Sequence, residues 1–297
     1  MKKKYIFNKV IIFGIGLIGG SFALALKKVN SVKEIIGFDK DKEVLKIANN
    51  IGIIDVISEN LSQEIYQADL IFISVPVGQT FSVFKLIKPH LNNNSVITDV
   101  GSTKLDIVNG ARDILGEKIS LYVPGHPIAG NEKNGPESAI PELFFEKKII
   151  ITPLKENSKK KINLVERAWK LCGGINFRLS LEKHDSIFAS VSHLPHLLAF
   201  ILVEDFATRI NSDELFSYAA SGFKDFTRIA SSSPEMWRDI SMSNKEALIK
   251  EIDQFSKKLS IFKDNLCCDN KEEIKLIFST AQKARKLWES SIHLKKK

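Results

Sequence analysis

A continuous apolar run, Val10-Ile11-Ile12-Phe13, passes without a spacer into Gly14-Ile15-Gly16-Leu17-Ile18-Gly19 and then into Ser21-Phe22-Ala23-Leu24-Ala25-Leu26. The run is β-branched and aromatic, as in a strand covered on both faces of a parallel sheet, and the residues after the glycines read as a helix. In such a strand, turn and helix the three glycines have separate tasks. The first permits the tight turn, the second lets a pyrophosphate approach the backbone at the helix N-terminus, and the third lets the helix pack closely. A second strand, Glu34 to Phe38, ends in Asp39, twenty residues past Gly19. An acid there accepts the ribose hydroxyls of NAD and repels the 2′-phosphate of NADP. Only Lys40 beside it offers a compensating charge, so NAD is the expected cofactor.

Further strand signals occur at Leu70 to Ser74, Ser95 to Asp99, Leu121 to Val123, Ile149 to Ile151 and Gly174 to Phe177, most of them alternating with helical stretches. That alternation predicts an α/β fold, a Rossmann-type doubly wound and mostly parallel sheet whose ligands sit beyond the carboxyl ends of its strands. The early strands end in Ser74-Val75-Pro76, Asp99-Val100-Gly101-Ser102-Thr103-Lys104 and Gly125-His126-Pro127, which are expected to share one crevice. Gly14, Gly16, Leu17, Ile18, Gly19, Asp39, Ser74, Val75, Pro76 and Asp99 are therefore the candidate cofactor residues. Near residue 180 strand signals stop and helical periodicity takes over. The expected division is a cofactor domain over 1–181 and an all-helical domain over 182–297.

His126 follows the apolar run Leu121-Tyr122-Val123 and is held between Gly125 and Pro127-Ile128-Ala129-Gly130. An imidazole titrates near neutrality and can take or return a proton, and Gly and Pro fix the backbone around it. A surface histidine in a tight turn is the plainer reading. Ser102 has the position of a helix cap, with Lys104 solvated beyond it. In the helical half, Ser186 to Phe206 reads as one helix carrying His193, Pro195 and His196; with no cysteine or carboxylate at ligand spacing, a packed or substrate-facing pair is favoured over a metal site. Arg228, among Phe223, Phe226 and a serine-rich turn, suits bidentate capture of a carboxylate or an ion pair with Asp225. Ser243 and Glu246 form a possible capping box, after which Leu248, Ile252, Phe255, Leu259, Phe262 and Leu266 make the apolar stripe of a packed helix.

The chain of 297 residues is long enough for two domains, and 44% hydrophobic with 26% charged residues is ordinary for a soluble protein. Its net charge of +8 sits largely in Lys2 to Lys4, Lys159 to Lys161 and Lys295 to Lys297. Such runs are usually solvated, and without interleaved aromatics they do not predict nucleic-acid binding. Three cysteines give neither a disulfide framework nor a metal site. Lys2 to Lys4 before an uncharged stretch imitates a secretory leader, but glycine spacing explains that stretch better, and no other segment approaches membrane-spanning length. A cytoplasmic protein is expected.

Taken in order, Gly14-Ile15-Gly16-Leu17-Ile18-Gly19-Gly20-Ser21, Asp99-Val100-Gly101-Ser102-Thr103-Lys104, Gly125-His126-Pro127-Ile128-Ala129-Gly130, Ser192-His193-Leu194-Pro195-His196 and Phe223-Lys224-Asp225-Phe226-Thr227-Arg228 resemble the prephenate dehydrogenase family, including its arogenate-using relatives. The resemblance runs through nearly the whole chain and departs at Asn131. It implies NAD-dependent oxidative decarboxylation of prephenate to 4-hydroxyphenylpyruvate in tyrosine biosynthesis, or the parallel reaction of arogenate, without a metal. His126 would then be the base, and Ser102 would bond the ring hydroxyl or orient the ring. Arg228 would clamp a carboxylate, with Asp225 and Glu132 holding or competing for it. His196 would contact substrate, and Trp237 would line the ring pocket or belong to the core. A helical second domain after a nucleotide fold often dimerises, so a homodimer through the C-terminal helices is expected, and the chain is expected to lack the regulatory ACT or chorismate mutase domain that some relatives carry. Two rivals remain at this level. One is a β-hydroxyacid dehydrogenase using Lys224; the other is a non-enzymatic NAD-binding redox sensor.

Overall fold

Four parallel strands carry the first half of the chain. In the computed structural model, which describes residues 5–130 and 135–294, β1 (Phe7–Phe13) is followed by α1 (Leu17–Lys28), β2 (Val32–Phe38), α2 (Lys42–Asn50), α3 (Leu61–Gln67) and β3 (Leu70–Ile73). Next come α4 (Thr80–Ile87), β4 (Val96–Asp99) and α5 (Leu105–Leu115). The strand order is β2-β1-β3-β4. The period of two explains why β1 is apolar at every position from Val10 onward. Val10 and Ile12 enter one core with Phe22, Leu26 and Trp169, whereas Ile11 and Phe13 enter the other with Phe84, Ile97 and Leu115. Helices thus cover both faces, as a doubly wound sheet requires.

A second sheet has the order β5-β6-β7, with β5 (Gly125–Pro127) antiparallel to β6 (Lys148–Ile151), and α6 (Lys159–Leu171) preceding β7 (Ile175–Arg178), which runs parallel to β6. Here the expectation of a strand at Leu121 to Val123 is corrected. Tyr122 makes only an isolated bridge to Ile97, and the strand proper is Gly125–Pro127, which contains His126. Pro124 has no N–H to donate to a ladder and only its carbonyl is bonded, by the Thr152 N–H at 3.1 Å, so the strand begins at Gly125. His126 is consequently part of a paired strand, not of a turn beyond one.

The helical half comprises α7 (Leu181–Phe188), α8 (Leu194–Thr208), α9 (Ser212–Ser217), α10 (Ser221–Thr227), α11 (Pro234–Ser243), α12 (Lys245–Cys267) and α13 (Lys271–Leu294). The single helix expected over 186–206 starts earlier and changes register, because a π-helical turn, Ala189–His193, separates α7 from α8. Pro195, in the first turn of α8, has no N–H for the carbonyl four residues back, and the wider turn absorbs the mismatch. By length and composition alone, the continuous run Leu181–Thr208 is apolar enough to cross a membrane, which corrects the expectation that no such segment exists. The same run carries His184, Asp185 and His193, all buried and hydrogen-bonded to other elements.

The capping box is also corrected. Ser243 ends α11, and its hydroxyl meets Thr103 Oγ1 at 2.9 Å and donates to Asp106 Oδ2 at 3.0 Å. Residues up to Leu248 form one compact unit and those from Ile249 a second. Within the second, α13 and the C-terminal part of α12 meet through Phe262 and Phe278, whose ring centroids are 5.7 Å apart. That unit leaves Leu259, Leu266, Leu276, Leu287 and Trp288 exposed.

Candidate active site

The glycine turn is built as a dinucleotide site needs it. Gly14 has φ +85°, a conformation costly for any side chain, and a Cβ on Gly19 would collide with the Gly14 carbonyl oxygen. Gly16 faces open space, leaving the α1 N-terminus approachable. The Ser74 hydroxyl donates to the Phe13 and Gly14 carbonyls at 3.0 and 2.8 Å, tying the end of β3 to the turn. Asp39 Oδ2 accepts from the Ile15 N–H at 2.9 Å, and Oδ1 from the Asp41 N–H at 3.1 Å.

Gly14, Gly16, Asp39, Ser74, Val75 and Pro76 line one cleft of about 640 Å³, which sequence reasoning did not extend to Gly78, Gln79 and Ser82 on its far wall. Leu17, Ile18 and Gly19 do not line this cleft; Leu17 and Gly19 are buried in the α1 packing.

Asp99 has a different task from the cofactor contact expected of it. Only 1% exposed, it is enclosed by donors: Lys104 Nζ at 2.5 Å and the Gly101 N–H at 2.8 Å on Oδ2, and the Tyr122 hydroxyl at 2.8 Å and the Gly125 N–H at 3.1 Å on Oδ1. Its carboxylate joins the end of β4 to the start of β5 and so fixes the strand that bears His126. Lys104, expected to be solvated, is fully buried as the partner of this charge. Burial and the Asp99 charge hold the Tyr122 phenol well above its usual pKa, so it remains a donor.

His126 Nδ1 lies 2.9 Å from His184 Nε2, and His184 Nδ1 lies 2.7 Å from Asp185 Oδ1. Asp185 in turn accepts the Lys104 and Leu105 N–H groups, both at 2.8 Å, and so caps α5 from another helix. Ser102, expected as that cap, does not serve; it is half-buried beside the capped turn. His184 is fully buried, whereas His126 as a residue is only partly buried. Burial, with His184, Lys104 and His193 nearby, pushes the His126 pKa well below its ordinary value, and burial lowers that of His184. Both are neutral at pH 7. Neither His184 nor Asp185 was found by sequence reasoning. The one signal was a His-Asp pair in the first turn after the domain change.

Around this centre, His196 Nδ1 donates to the Ser192 carbonyl at 2.8 Å and its ring stacks on Trp237. Burial lowers the His196 pKa, and the Arg228 charge also lowers it. Trp237 packs against the core beneath while its upper face carries His196. His193 accepts at Nδ1 from Asn244 at 3.1 Å and sits 6.1 Å from Trp237, ring to ring. Lys224 is exposed on α10. Glu132 and Asn131 lie outside the described residues. No group of three or more metal-ligating side chains occurs among the described residues.

A Rossmann-type sheet, a glycine turn with an acid at the end of β2, and an imidazole one strand beyond β4 define the class: dinucleotide-dependent oxidoreductases with a helical second part. Residues 22–177 match the family model for the prephenate dehydrogenase nucleotide-binding domain, and residues 180–280 that for the prephenate dehydrogenase dimerization domain. The prephenate dehydrogenase of Bacillus subtilis is 34% identical over 94% of this chain and 75% of its own length. The cyclohexadienyl dehydrogenase of Zymomonas mobilis is 31% identical over 94% of this chain and 96% of its own. A crystal structure of prephenate dehydrogenase from Aquifex aeolicus, in complex with hydroxyphenyl propionate and NAD+, superposes with a TM-score of 0.88 at 38% identity, covering 94% of this chain and 97% of that one. The chain belongs to the prephenate dehydrogenase family and is an enzyme, an oxidoreductase.

Proposed function

We propose that the chain catalyses the NAD-dependent oxidative decarboxylation of prephenate to 4-hydroxyphenylpyruvate in tyrosine biosynthesis. The observation that carries this is the neutral imidazole of His126, held on β5 beside the end of β4 in a chain of this family. The open face of Gly16 and the acid at Asp39 suit NAD. NAD, when bound in the cleft, supplies the acceptor for the hydride that leaves the hydroxyl-bearing ring carbon.

The protein's own part is proton transfer and placement. His126 Nε2 accepts the proton of the ring hydroxyl as the C–H pair departs, with Ser102 aligning that hydroxyl. The bond to the ring carboxyl group then breaks, carbon dioxide leaves, and its electron pair makes the ring aromatic. His126 returns the proton to the phenol oxygen. Arg228 offers a fork-shaped cation for a substrate carboxylate, with Asp225 and Glu132 setting its position. The stacked His196–Trp237 pair forms a wall of the ring pocket.

Residues 1–181 form the cofactor part and 182–297 the substrate and dimerisation part of this reading. The exposed apolar residues of α12 and α13 support a homodimer formed through these helices, and a cytoplasmic location suits a biosynthetic enzyme with two exposed free thiols, Cys267 and Cys268. The test is NADH formation by the purified protein with prephenate or arogenate, and with NADP in place of NAD. Turnover with prephenate and NAD is expected. Turnover with arogenate alone would keep the chemistry and change the substrate, and silence with both would refute the reading.

A further inference from the structure

The direction of every hydrogen bond behind His126 is set by the backbone of α5. The Lys104 and Leu105 N–H groups can only donate, and they occupy Asp185 Oδ1 and Oδ2. An ionised Asp185 has no hydrogen to give, so the hydrogen in its 2.7 Å contact with His184 belongs to His184 Nδ1. Neutral His184 is then bare at Nε2 and can only accept there. The hydrogen in the 2.9 Å contact therefore belongs to His126 Nδ1, and neutral His126 is bare at Nε2. The opposite polarity would require a doubly protonated His184, a cation with 0% exposure near Lys104.

We propose that His184 and Asp185 are positioning residues that lock His126 in the tautomer whose Nε2 is free to take the substrate's proton. The charge that arises on His126 is then shared through His184 toward the Asp185 carboxylate. A carboxylate performs the same service for the histidine of serine hydrolases; here a second imidazole is interposed. The arrangement is rigid. Phe188 packs against both rings, at 4.8 Å from His126 and 4.6 Å from His184, and Asn244 Nδ2 donates to the Asp185 carbonyl at 2.8 Å. The charged or titratable groups acting on His126 are His184 of α7, Lys104 before α5 and His193 of the π turn, and those acting on His184 are Asp185, Lys104 and Asp99.

The inference rests on His126 being the base of the proposed reaction, and one measurement separates the two. Proton–nitrogen NMR of the substrate-free full chain, labelled with ¹⁵N-histidine and assigned with single His→Gln variants, reads each tautomer without any turnover. The expected result is a protonated Nδ1 and a bare Nε2 on both His126 and His184. A protonated Nε2 on His126 overturns the proposal, whatever the enzyme turns over; the expected tautomer in a protein inactive on prephenate upholds the lock and sinks the substrate reading instead.

Kinetics supply the second arm. His184→Phe removes the acceptor at similar volume, and kcat is expected to fall about 10- to 100-fold with KM for prephenate little changed. His184→Gln, whose amide oxygen can accept from His126 Nδ1, is expected to recover most of that loss. A purely structural role would give no such recovery, and equal defects in the two variants would overturn the proposal. If the Phe variant does not fold, the wild-type tautomers still decide.

Discussion

The rings of His196 and Trp237 lie 3.7 Å apart, centroid to centroid, with their planes 19° from parallel. One is from α8 and the other from α11, so the contact holds two helices in register. An aromatic pair of this kind contributes about 1 kcal/mol beyond area burial. Trp237→Ala is therefore expected to raise KM for prephenate about fivefold to tenfold, with a smaller effect on kcat. Trp237→Phe keeps the stack and should stay close to wild type. Steady-state kinetics with prephenate varied checks both.

Loss of the base should be more severe and should fall on kcat. His126→Asn is expected to lower turnover by about 100-fold or more, with NAD affinity unchanged by calorimetric titration. The pH profile follows from the lowered pKa of His126. The base is active only when neutral, so kcat/KM should hold level as pH falls through 6.5, the ordinary value for histidine, and drop only below it. An acid limb at or above that pH would contradict the assignment.

Asp39 braces the glycine turn through the Ile15 N–H, and in the proposed function it also offers oxygens to the ribose of NAD. Asp39→Ala is expected to weaken NAD binding by about 10- to 100-fold and to narrow the preference for NAD over NADP. Titration with each cofactor measures both effects, and an unchanged NAD affinity would remove Asp39 from the site.

Lys104 and Asp99 form a fully buried ion pair beneath β5. Lys104→Met keeps the apolar stem but strands the Asp99 charge, at a cost of about 3 kcal/mol. Urea unfolding should show this as a lower midpoint with unchanged slope. Tyr122→Phe removes one of the remaining donors and is expected to cost about 1–2 kcal/mol.

Acid should also destabilise the fold through His193. Asn244 Nδ2 is committed to donating, because its other partner is the Asp185 carbonyl, so His193 Nδ1 must stay bare to accept it. Burial and this bond agree with a pKa lowered to about 4. The unfolded chain binds a proton at a higher pH than the folded one. Stability from this residue is thus complete above pH 6.5, the ordinary value for histidine, and is lost as pH falls toward about 4, amounting to about 3 kcal/mol. Denaturation midpoints between pH 7 and pH 4 should decline, and less steeply in His193→Gln.

The local elements were legible because their causes are local. β1, the glycine turn and α1 follow from contiguous residues, since strand, positive φ and close helix approach are each imposed within a few positions of Gly14 and Gly19. Asp39 could be placed by its spacing, and His126 by the small residues around it. What the sequence could not convey is which distant groups share a charge or a proton. Asp99 read as a cofactor contact and a cap was one reading of Ser102, because nothing in the sequence near Asp99 shows that Lys104, Tyr122 and Gly125 close over it, nor near Leu105 that Asp185, eighty residues on, caps α5. The His126–His184 contact spans 58 residues and two elements. A hydrogen bond is decided by a few tenths of an ångström and by direction, and only the packing of α7 against α5 fixes these. Sequence thus determined which residue types are present to do chemistry, and tertiary structure decided which of them stand against one another, His126 against His184 and Asp99 against Lys104.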